Sequence, residues 1–216
     1  MGNADYDQET RLSRASVGRL SLYLRRLESL HRDGIGRVSS GSLGEAVGVA
    51  DTQVRKDLAA LGSFGQPGIG YEVPELVRVL RSTLGIDREW RAALVGVGNL
   101  ARALLRYRGF IERGFQIVAL FDDDPAKAEQ TVDGLKVHPT GRMPEVVRGC
   151  GAELGIMTVP AEAAQDVADL LIGAGVKGLL NFAPAVLRVP RGVSVVNVDL
   201  TVQLEQLAFL VQMSAG

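Results

Sequence analysis

Apolar residues near the N-terminus recur every three or four positions, which is the period of an amphipathic helix. The run ends at Asp33-Gly34, and its apolar members are Val17, Leu20, Leu24, Leu27 and Leu30. Two shorter helices are predicted next, over about 41–47 and 52–61, separated by a tight turn at 48–50. Ser39 or Ser40 is expected to cap the first of these, and Asp51 or Thr52 the second. The pattern predicts a helix-turn-helix.

The segment 64–73 places glycines and one proline around alternating apolar residues, which is typical of a β-hairpin. Another helix is predicted over 75–84, and the stretch 85–88 marks a domain boundary. Three helices followed by a hairpin predict a winged helix-turn-helix domain over residues 1–86.

After Trp90 the pattern changes to short β-rich runs that alternate with helical ones. Strands are predicted over 92–97, 116–122, 154–159, 178–181 and 193–198. Helices are predicted over 100–107, 125–131, 143–149 and 161–174. This alternation is typical of a parallel sheet with helices on both faces, so residues 87–198 are predicted to form an α/β domain of the Rossmann type.

The last predicted helix, 200–213, is apolar on most of its sides. A terminal helix with so little polar surface usually docks on another surface. We therefore separate residues 199–216 from the α/β domain and expect them to contact a partner subunit.

Composition narrows the possible functions. No window approaches about 18 consecutive apolar residues, and the N-terminus lacks the apolar core of a signal peptide, so a cytoplasmic protein without membrane association is expected. Cys150 is the only cysteine and there are two histidines, which disfavours a disulfide framework or a metal site. Net charge is −1, but residues 11–62 carry nine basic against five acidic side chains. That local surplus suits contact with phosphate groups.

A dinucleotide-binding turn is predicted directly after the first strand of the second domain. Its residues are Gly96, Val97, Gly98, Asn99, Leu100 and Ala101. The first glycine permits the tight turn, the second lets the backbone approach a pyrophosphate, and Ala101 allows close packing of helix on strand. The helix N-terminus then offers free N–H groups to the phosphates.

An acidic residue ends the next predicted strand. Asp122 can accept both hydroxyls of a ribose, and its charge would repel a 2′-phosphate, which favours NAD(H) over NADP(H). Asp123 follows it and is included in the candidate site. Two further loops lie at the carboxyl ends of strands, where open α/β sheets bind ligands. These loops, expected near the nicotinamide half, contain Thr158, Val159, Pro160, Asn181, Phe182, Ala183 and Pro184.

No catalytic constellation accompanies the predicted cofactor site. A dehydrogenase needs an acid/base group beside the nicotinamide. His31 lies near the end of the first predicted helix, and His138 follows a strand-like run, 134–137, at the edge of the fold, so both are poor candidates. A sensor is therefore favoured over an enzyme. Two alternatives stay open: an NAD-dependent oxidoreductase with a regulatory N-terminal domain, and a CoA- or nucleotide-binding module that acts through protein contacts.

The second helix of a helix-turn-helix enters the major groove of DNA. Here that helix begins near Thr52 and is expected to present Gln53, Arg55 and Lys56 outward. Arginine reads guanine and glutamine reads adenine, whereas Lys56 is expected to meet a phosphate. The alternative is a three-helix module that is structural or docks a protein.

Motifs in both domains resemble those of the Rex redox-sensing transcriptional repressors of bacteria, over about residues 14–213. In the first domain they are 19–25 (RLSLYLR), 37–40 (RVSS), 53–58 (QVRKDL) and 68–71 (GIGY). In the second they are 95–100 (VGVGNL), 121–125 (FDDDP), 158–165 (TVPAEAAQ) and 177–184 (KGLLNFAP).

The resemblance implies a homodimer that binds palindromic operator DNA and senses the ratio of NADH to NAD⁺, with NADH releasing the DNA. It implies that the terminal helix is exchanged between subunits. It also implies a switch network of Arg25, Tyr107 and Asp199. The DNA-binding residues expected from the predicted helices and these motifs are Ser39, Ser40, Thr52, Gln53, Arg55, Lys56, Gly68, Gly70 and Tyr71.

The chain departs from the family pattern in three places. Ala101 replaces the third glycine of the turn, which the fingerprint tolerates. The hairpin tip reads Gln66-Pro67 where basic residues are usual, which removes expected phosphate contacts. Leu200 follows Asp199 where an aromatic residue is common.

Overall fold

A computed structural model describes residues 12–66 and 69–214. The chain divides between Arg88 and Glu89 into two compact units. In the first unit the helices are α1 (Arg14–Arg32), α2 (Ser40–Val47), α3 (Asp51–Ala59) and α4 (Val73–Thr83). Its strands are β1 (Arg37–Val38), β2 (Gly65–Gln66) and β3 (Gly70–Glu72), in the antiparallel order β1-β3-β2.

The helix starts of the first unit follow from local hydrogen bonds. The hydroxyl of Ser13 accepts from the N–H of Ser16 at 3.1 Å and begins α1, and that of Ser39 accepts from Ser42 at 3.0 Å and begins α2. The start of α3 differs from the expectation, since Ala50 occupies the N-cap and no side chain caps the helix. Asp51 instead lies in the first turn, where the negative charge of its carboxylate interacts favourably with the positive end of the helix dipole.

One buried cluster holds the first unit together. Its fully buried members come from each of the four helices: Leu20, Tyr23, Leu24, Leu27, Leu43, Val54, Leu58, Val73, Leu76 and Leu80. The turn between α2 and α3 is tight because Gly44 packs against the carbonyl of Val49, and a Cβ at Gly44 would lie 2.3 Å from that oxygen. The predicted helix-turn-helix with a hairpin is present, and β1 adds a third strand that the sequence pattern did not reveal.

The second unit alternates strands with helices. Its strands are β4 (Trp90–Val95), β5 (Phe115–Phe121), β6 (Thr131–Val132), β7 (Leu135–His138), β8 (Leu154–Met157), β9 (Gly178–Asn181) and β10 (Ser194–Asn197). Its helices are α5 (Asn99–Leu105), α6 (Arg108–Ile111), α7 (Met143–Cys150), α8 (Ala161–Gly173) and α9 (Leu200–Ser214), with a 3-10 turn at Thr140–Arg142.

The sheet of the second unit has the order β10-β9-β8-β4-β5-β7-β6. Its pairs are parallel apart from the β6–β7 pair. Alternate residues of β4 face opposite sides: Ala93 and Val95 join one buried cluster with α7 and α8, whereas Ala92 and Leu94 join another with α5. The prediction of an α/β fold with a doubly covered parallel sheet is therefore confirmed.

The helix predicted over 125–131 does not form. Residues 125–129 are turns, and Glu129 adopts a positive φ of 67°. A two-residue loop at Asp133-Gly134, with φ values of 47° and 84°, joins β6 to β7. Positive φ at both central residues is the requirement of a type I′ hairpin turn, and Asp-Gly is a strong signal for it. The hairpin therefore takes the last residue of the predicted helix into β6.

Candidate functional site: a nucleotide-binding turn and a DNA-facing helix

The order of strands reverses between β4 and β8. After β4 the chain adds β5, β6 and β7 on one side of it, and then returns to add β8, β9 and β10 on the other side. Ligands of open α/β sheets bind at the carboxyl ends of strands at such a point. The turn 96–101 follows β4 and the loop 158–160 follows β8, so the topology brings these two predicted segments side by side. They are joined directly: the Thr158 hydroxyl donates to the Gly96 carbonyl at 2.6 Å.

Gly96 has no room for a side chain. Its φ is 90°, which L-residues rarely adopt, and a Cβ would lie 2.7 Å from the carbonyl oxygen of Thr158. Its N–H donates to the Phe121 carbonyl at 2.8 Å, which ties the turn to β5. The first glycine of the motif is therefore required by the fold itself.

Gly98 differs from Gly96. It is exposed, its φ of −94° and ψ of −165° suit any residue, and a Cβ placed there would meet nothing within 4 Å. The fold therefore gives no reason for glycine at this position, and the open space above its backbone fits the predicted approach of a pyrophosphate. Asn99 and Leu100 are also exposed, while Ala101 is completely buried between α5 and the sheet.

Asp122 is committed to the protein more fully than expected. Its Oδ2 accepts from the N–H of Val97 at 2.6 Å and from the Lys127 ammonium at 3.0 Å, and its Oδ1 accepts from Asp124 N–H at 2.9 Å. Burial would raise the pKa of this carboxyl, but the N–H groups of Asp124 and Val97 and the Lys127 ammonium together hold the pKa below its usual value. Asp122 is thus an anion that fixes the turn, and it is only 8% exposed.

The neighbours of Asp122 complete this edge. Asp123 is exposed and accepts a hydrogen bond from the Thr140 hydroxyl. The sequence analysis did not predict a contact between Lys127 and Asp122. Lys127 lies only five residues beyond Asp122, and the turn that replaces the predicted helix brings the two side chains together. The positive charge of Lys127 offsets the negative charge of Asp122, so Asp122 repels a 2′-phosphate less strongly than an unpaired carboxylate would.

Two of the predicted contact residues at the end of β9 and in the loop after it face inward. Asn181 is completely buried; its Nδ2 lies within 3.1 Å of the carbonyls of Ala183 and Ala185 and of the Asn197 Oδ1. Its Oδ1 accepts from the Ala183 N–H at 3.0 Å. Asn181 therefore shapes the loop from within, and Ala183 is buried as well. Pro160 and Pro184 are exposed. Thr158, Val159 and Phe182 are half-buried.

In the first unit, Arg55 and Lys56 are exposed on α3, as predicted, and Thr52 is exposed beside them. Arg55 pairs with Asp51 at 2.8 Å and donates to the Ser40 hydroxyl at 3.3 Å. Gln53 differs from the prediction. It is half-buried and its amide Nε2 donates to Asp57 at 2.8 Å, since Asp57 lies one helical turn further along α3.

The wing residues have structural reasons for their identity. A Cβ at Gly70 would lie 2.6 Å from the Val38 carbonyl, and its φ is 87°. Tyr71 packs on the buried cluster and covers Gly65. Ser39 caps α2. The expectations for Pro67 and Gly68, and for the side chain of Gln66, lie outside what the structure describes.

The three predicted switch residues lie in two units. Arg25 is exposed on α1 of the first unit. In the second, Tyr107 is 55% exposed and stacks edge-to-face on Phe110 at 5.2 Å. Asp199 precedes α9, and its Oδ1 accepts from the N–H groups of Thr201 and Val202 at 2.9 and 3.2 Å.

Known proteins resemble this chain over nearly its full length. A redox-sensing transcriptional repressor Rex from Desulfitobacterium hafniense is 49% identical over 199 residues, which are 92% of this chain and 95% of the relative. The Rex repressor of Carboxydothermus hydrogenoformans is 51% identical over 199 residues, with 92% and 96% covered. The chain belongs to the Rex family of redox-sensing transcriptional repressors.

Domain models and solved structures agree with this membership. Residues 11–59 match a family described as "Putative DNA-binding protein N-terminus", and residues 87–185 match the CoA binding domain. A crystal structure of the Rex-family repressor RSP with β-NAD⁺ and operator DNA is 34% identical, has a TM-score of 0.89 and covers 94% of each chain. RSP with β-NADH is 32% identical with a TM-score of 0.85, covering 96% of this chain and 97% of RSP.

Family membership confirms the predictions of a repressor and of a regulator rather than an enzyme. The structure adds that none of its described helices is long and apolar enough to cross a bilayer. Among the same residues, no cluster of His, Cys, Asp or Glu side chains suits a metal ion.

The two glycines of the turn predict two different defects. Gly98→Ala should leave the free energy of unfolding within about 0.5 kcal/mol of the parent but raise the Kd for NADH about tenfold or more, because the methyl occupies the space above the turn. Gly96→Ala should lower the free energy of unfolding by about 1–3 kcal/mol through backbone strain. Trp90, the single tryptophan, lies in β4 and reports urea unfolding of this unit. Unchanged NADH affinity in Gly98→Ala would contradict the assignment.

The low pKa of Asp122 predicts a pH-dependent contribution to stability. Asp122→Asn should lower the free energy of unfolding at pH 7 by about 1–3 kcal/mol, because the bonds from Val97 and Lys127 lose their anion. The contribution is fully present above the ordinary value of 3.8 and is lost as pH falls through the lower folded pKa, so parent and variant should converge in acid. Urea unfolding at pH 7, 5 and 3 measures this. A difference that stayed constant with pH would refute it.

Proposed function

We propose that this Rex-family chain represses transcription in the cytoplasm as a homodimer on palindromic operator DNA, and that NADH releases the DNA. One observation carries the proposal: a single chain combines a helix-turn-helix with an exposed α3 and a switch-point turn whose second glycine opens to solvent. A relative solved with NAD⁺ and operator DNA matches the chain across both units.

The residues proposed to hold the dinucleotide divide by role. Gly98 and its neighbours Asn99 and Leu100 receive the pyrophosphate, while Gly96, Ala101 and the Val97–Asp122 bond keep the turn in shape. The adenosine ribose lies at Asp122 and Asp123, whose carboxylates suit hydroxyl donors. The loops 158–160 and 182–184 receive the nicotinamide. The two forms of the cofactor differ there, because the nicotinamide ring of NAD⁺ carries one positive charge that the ring of NADH lacks.

That charge difference must lie at the origin of the response. A ligand shifts an equilibrium only by its differential affinity for the two states. The turn and the ribose-binding acids contact parts that NADH and NAD⁺ share, so they supply affinity without discrimination. We therefore assign discrimination to the nicotinamide loops and transmission to Arg25, Tyr107 and Asp199, where charged partners that meet in one state only form a two-state element.

DNA recognition is assigned to α3 and its neighbours. Arg55 and Gln53 read base edges, Lys56 and Thr52 contact the backbone, and Ser39, Ser40 and the wing residues Gly68, Gly70 and Tyr71 position the unit on the duplex. The basic surplus of residues 11–62 supports an approach to phosphate.

The homodimer is proposed from α9. Its residues are exposed along the whole helix, and the large apolar ones are Leu200, Val202, Leu204, Leu207, Phe209, Leu210, Val211 and Met213. An apolar surface of this extent is typical of an interface. A second copy is the proposed occupant, since symmetric homo-oligomers are the commonest assemblies and operator palindromes mirror a two-fold axis.

The match to a CoA binding domain favours a second candidate ligand. CoA shares the adenine, ribose and pyrophosphate of NAD(H), but its ribose carries a 3′-phosphate and it lacks nicotinamide. The same turn could therefore receive it, and titrations should include it.

NADH should release the protein from DNA in a titration by fluorescence anisotropy. The probe is a palindromic duplex selected from a randomised library, at one fixed salt concentration. NADH should raise the Kd for DNA at least tenfold, whereas equal NAD⁺ should not. Gly98→Ala should bind the duplex normally and require more NADH for release. Equal responses to both nucleotides would contradict redox sensing, and release by CoA alone would select the second candidate.

A charge on α9 should break the homodimer. Leu207→Glu should give a monomer by sedimentation velocity, because a carboxylate would be buried without a partner. Gln206→Glu is the matched control, since it adds the same charge at the adjacent polar position and should stay dimeric. A dimeric Leu207→Glu variant would show that α9 does not form the interface.

A further inference from the structure

A saturated carboxylate lies beneath the exposed face of α3. Arg19 of α1 holds Asp57 with two bonds, Nε to Oδ2 at 2.6 Å and Nη2 to Oδ1 at 2.7 Å. The Tyr23 hydroxyl donates to Oδ2 at 2.9 Å, and the Gln53 amide donates to Oδ1 at 2.8 Å. Each oxygen thus accepts two bonds, which fills the approximately four acceptor sites of a carboxylate.

The position of Asp57 makes this arrangement specific. It is 5% exposed and lies between Val54 and Leu58, on the side of α3 that faces the buried cluster. A buried charge is costly unless it is paired and hydrogen-bonded, and an apolar residue here would often be at least as stable. Arg19 foremost, with Gln53 and Tyr23, keeps the pKa of Asp57 below its usual value despite burial, so the side chain is an anion.

An anion can only accept hydrogen bonds, and this fixes the orientation of Gln53. The amide must direct its N–H toward Asp57, because a reversed amide would place its oxygen against the carboxylate. The bond leaves the Oε1 carbonyl and a second N–H on the same amide. A donor and an acceptor side by side are what the N7 and N6 edge of adenine requires.

We propose that Asp57, anchored by its two bonds from Arg19, is a positioning residue that sets the Gln53 amide for reading adenine in the operator. This deepens the proposed function, because it rests on α3 being the recognition helix. Gln53 is then both half-buried and functional: one N–H is used inside the protein and the rest of the amide reads the base.

The test uses the full-length protein and duplexes in which single adenines are replaced by 7-deazaadenine, which removes the N7 acceptor. At one position per half-site the replacement should weaken binding by the parent about tenfold, and it should have little further effect on Gln53→Ala. Asp57→Asn should behave like Gln53→Ala, because an amide that must serve Arg19, Tyr23 and Gln53 cannot accept from all three. Affinity for duplexes that lack the operator sequence should remain unchanged.

Tyr23→Phe is the matched control. It removes one bond to Asp57 but leaves the Gln53 contact, so it should lower stability while the 7-deazaadenine effect stays near tenfold. Loss of that effect in Tyr23→Phe, or its retention in Asp57→Asn, would overturn the proposal. If Gln53→Ala, Arg55→Ala and Lys56→Ala each left DNA binding and base discrimination unchanged, the recognition-helix assignment itself would fail.

A measurement on the unmodified protein covers the case in which Asp57→Asn does not fold. The side-chain amide of Gln53, assigned by its absence in Gln53→Ala, should give one proton resonance shifted downfield and slow to exchange in ¹⁵N–¹H spectra. Averaged shifts typical of a freely rotating glutamine would overturn the positioning role.

Discussion

The contact between Gly96 and Thr158 is the constraint on which the second unit depends. The strand order reverses there, so the turn after β4 and the loop after β8 must pass each other within hydrogen-bond distance. A side chain at Gly96 would meet the Thr158 carbonyl, and its positive φ excludes most residues. With these two loops fixed, Gly98 is left open at the edge of the sheet, where a ligand can approach the backbone.

Two buried carboxylates fix the geometry of the two proposed binding sites in the same physical way. Asp122 fixes the nucleotide turn through Val97, and Asp57 fixes α3 through Arg19 and Tyr23. Each has its pKa held low by donors that outweigh its burial. Ion pairs of this kind contribute little net stability compared with apolar packing, and their effect is to select one geometry among several. That selection is what a binding edge needs.

The exposed apolar surface of α9 is the basis of the proposed homodimer. A helix that is exposed along its whole length gains little burial within its own chain, which is why a second copy of the chain was proposed to cover it. Asp199 caps this helix and is also one of the proposed switch residues. The proposed switch and the proposed dimer helix therefore share a residue, and a change in the hydrogen bonds of Asp199 would alter the start of α9.

The sequence by itself determined the local elements. Apolar spacing predicted α1 through Leu20, Leu24 and Leu27, and the alternation of strands and helices predicted the parallel sheet. The glycine pattern of 96–101 predicted a turn between strand and helix. These features depend on neighbours within one or two turns of chain, and such neighbours are visible in the sequence. The Asp133-Gly134 hairpin is also a local signal, but the helical pattern of 125–131 obscured it.

Only the tertiary structure decided which polar residues face inward. Gln53 and Asn181 are polar residues near predicted binding edges, yet each has its amide committed to a partner inside the protein. Arg19 and Asp57 are 38 positions apart, and nothing in either local pattern predicts their pairing. Lys127 meets Asp122 because a turn replaces the predicted helix. Burial of a polar group is decided by partners distant in the chain, and the fold alone brings those partners together.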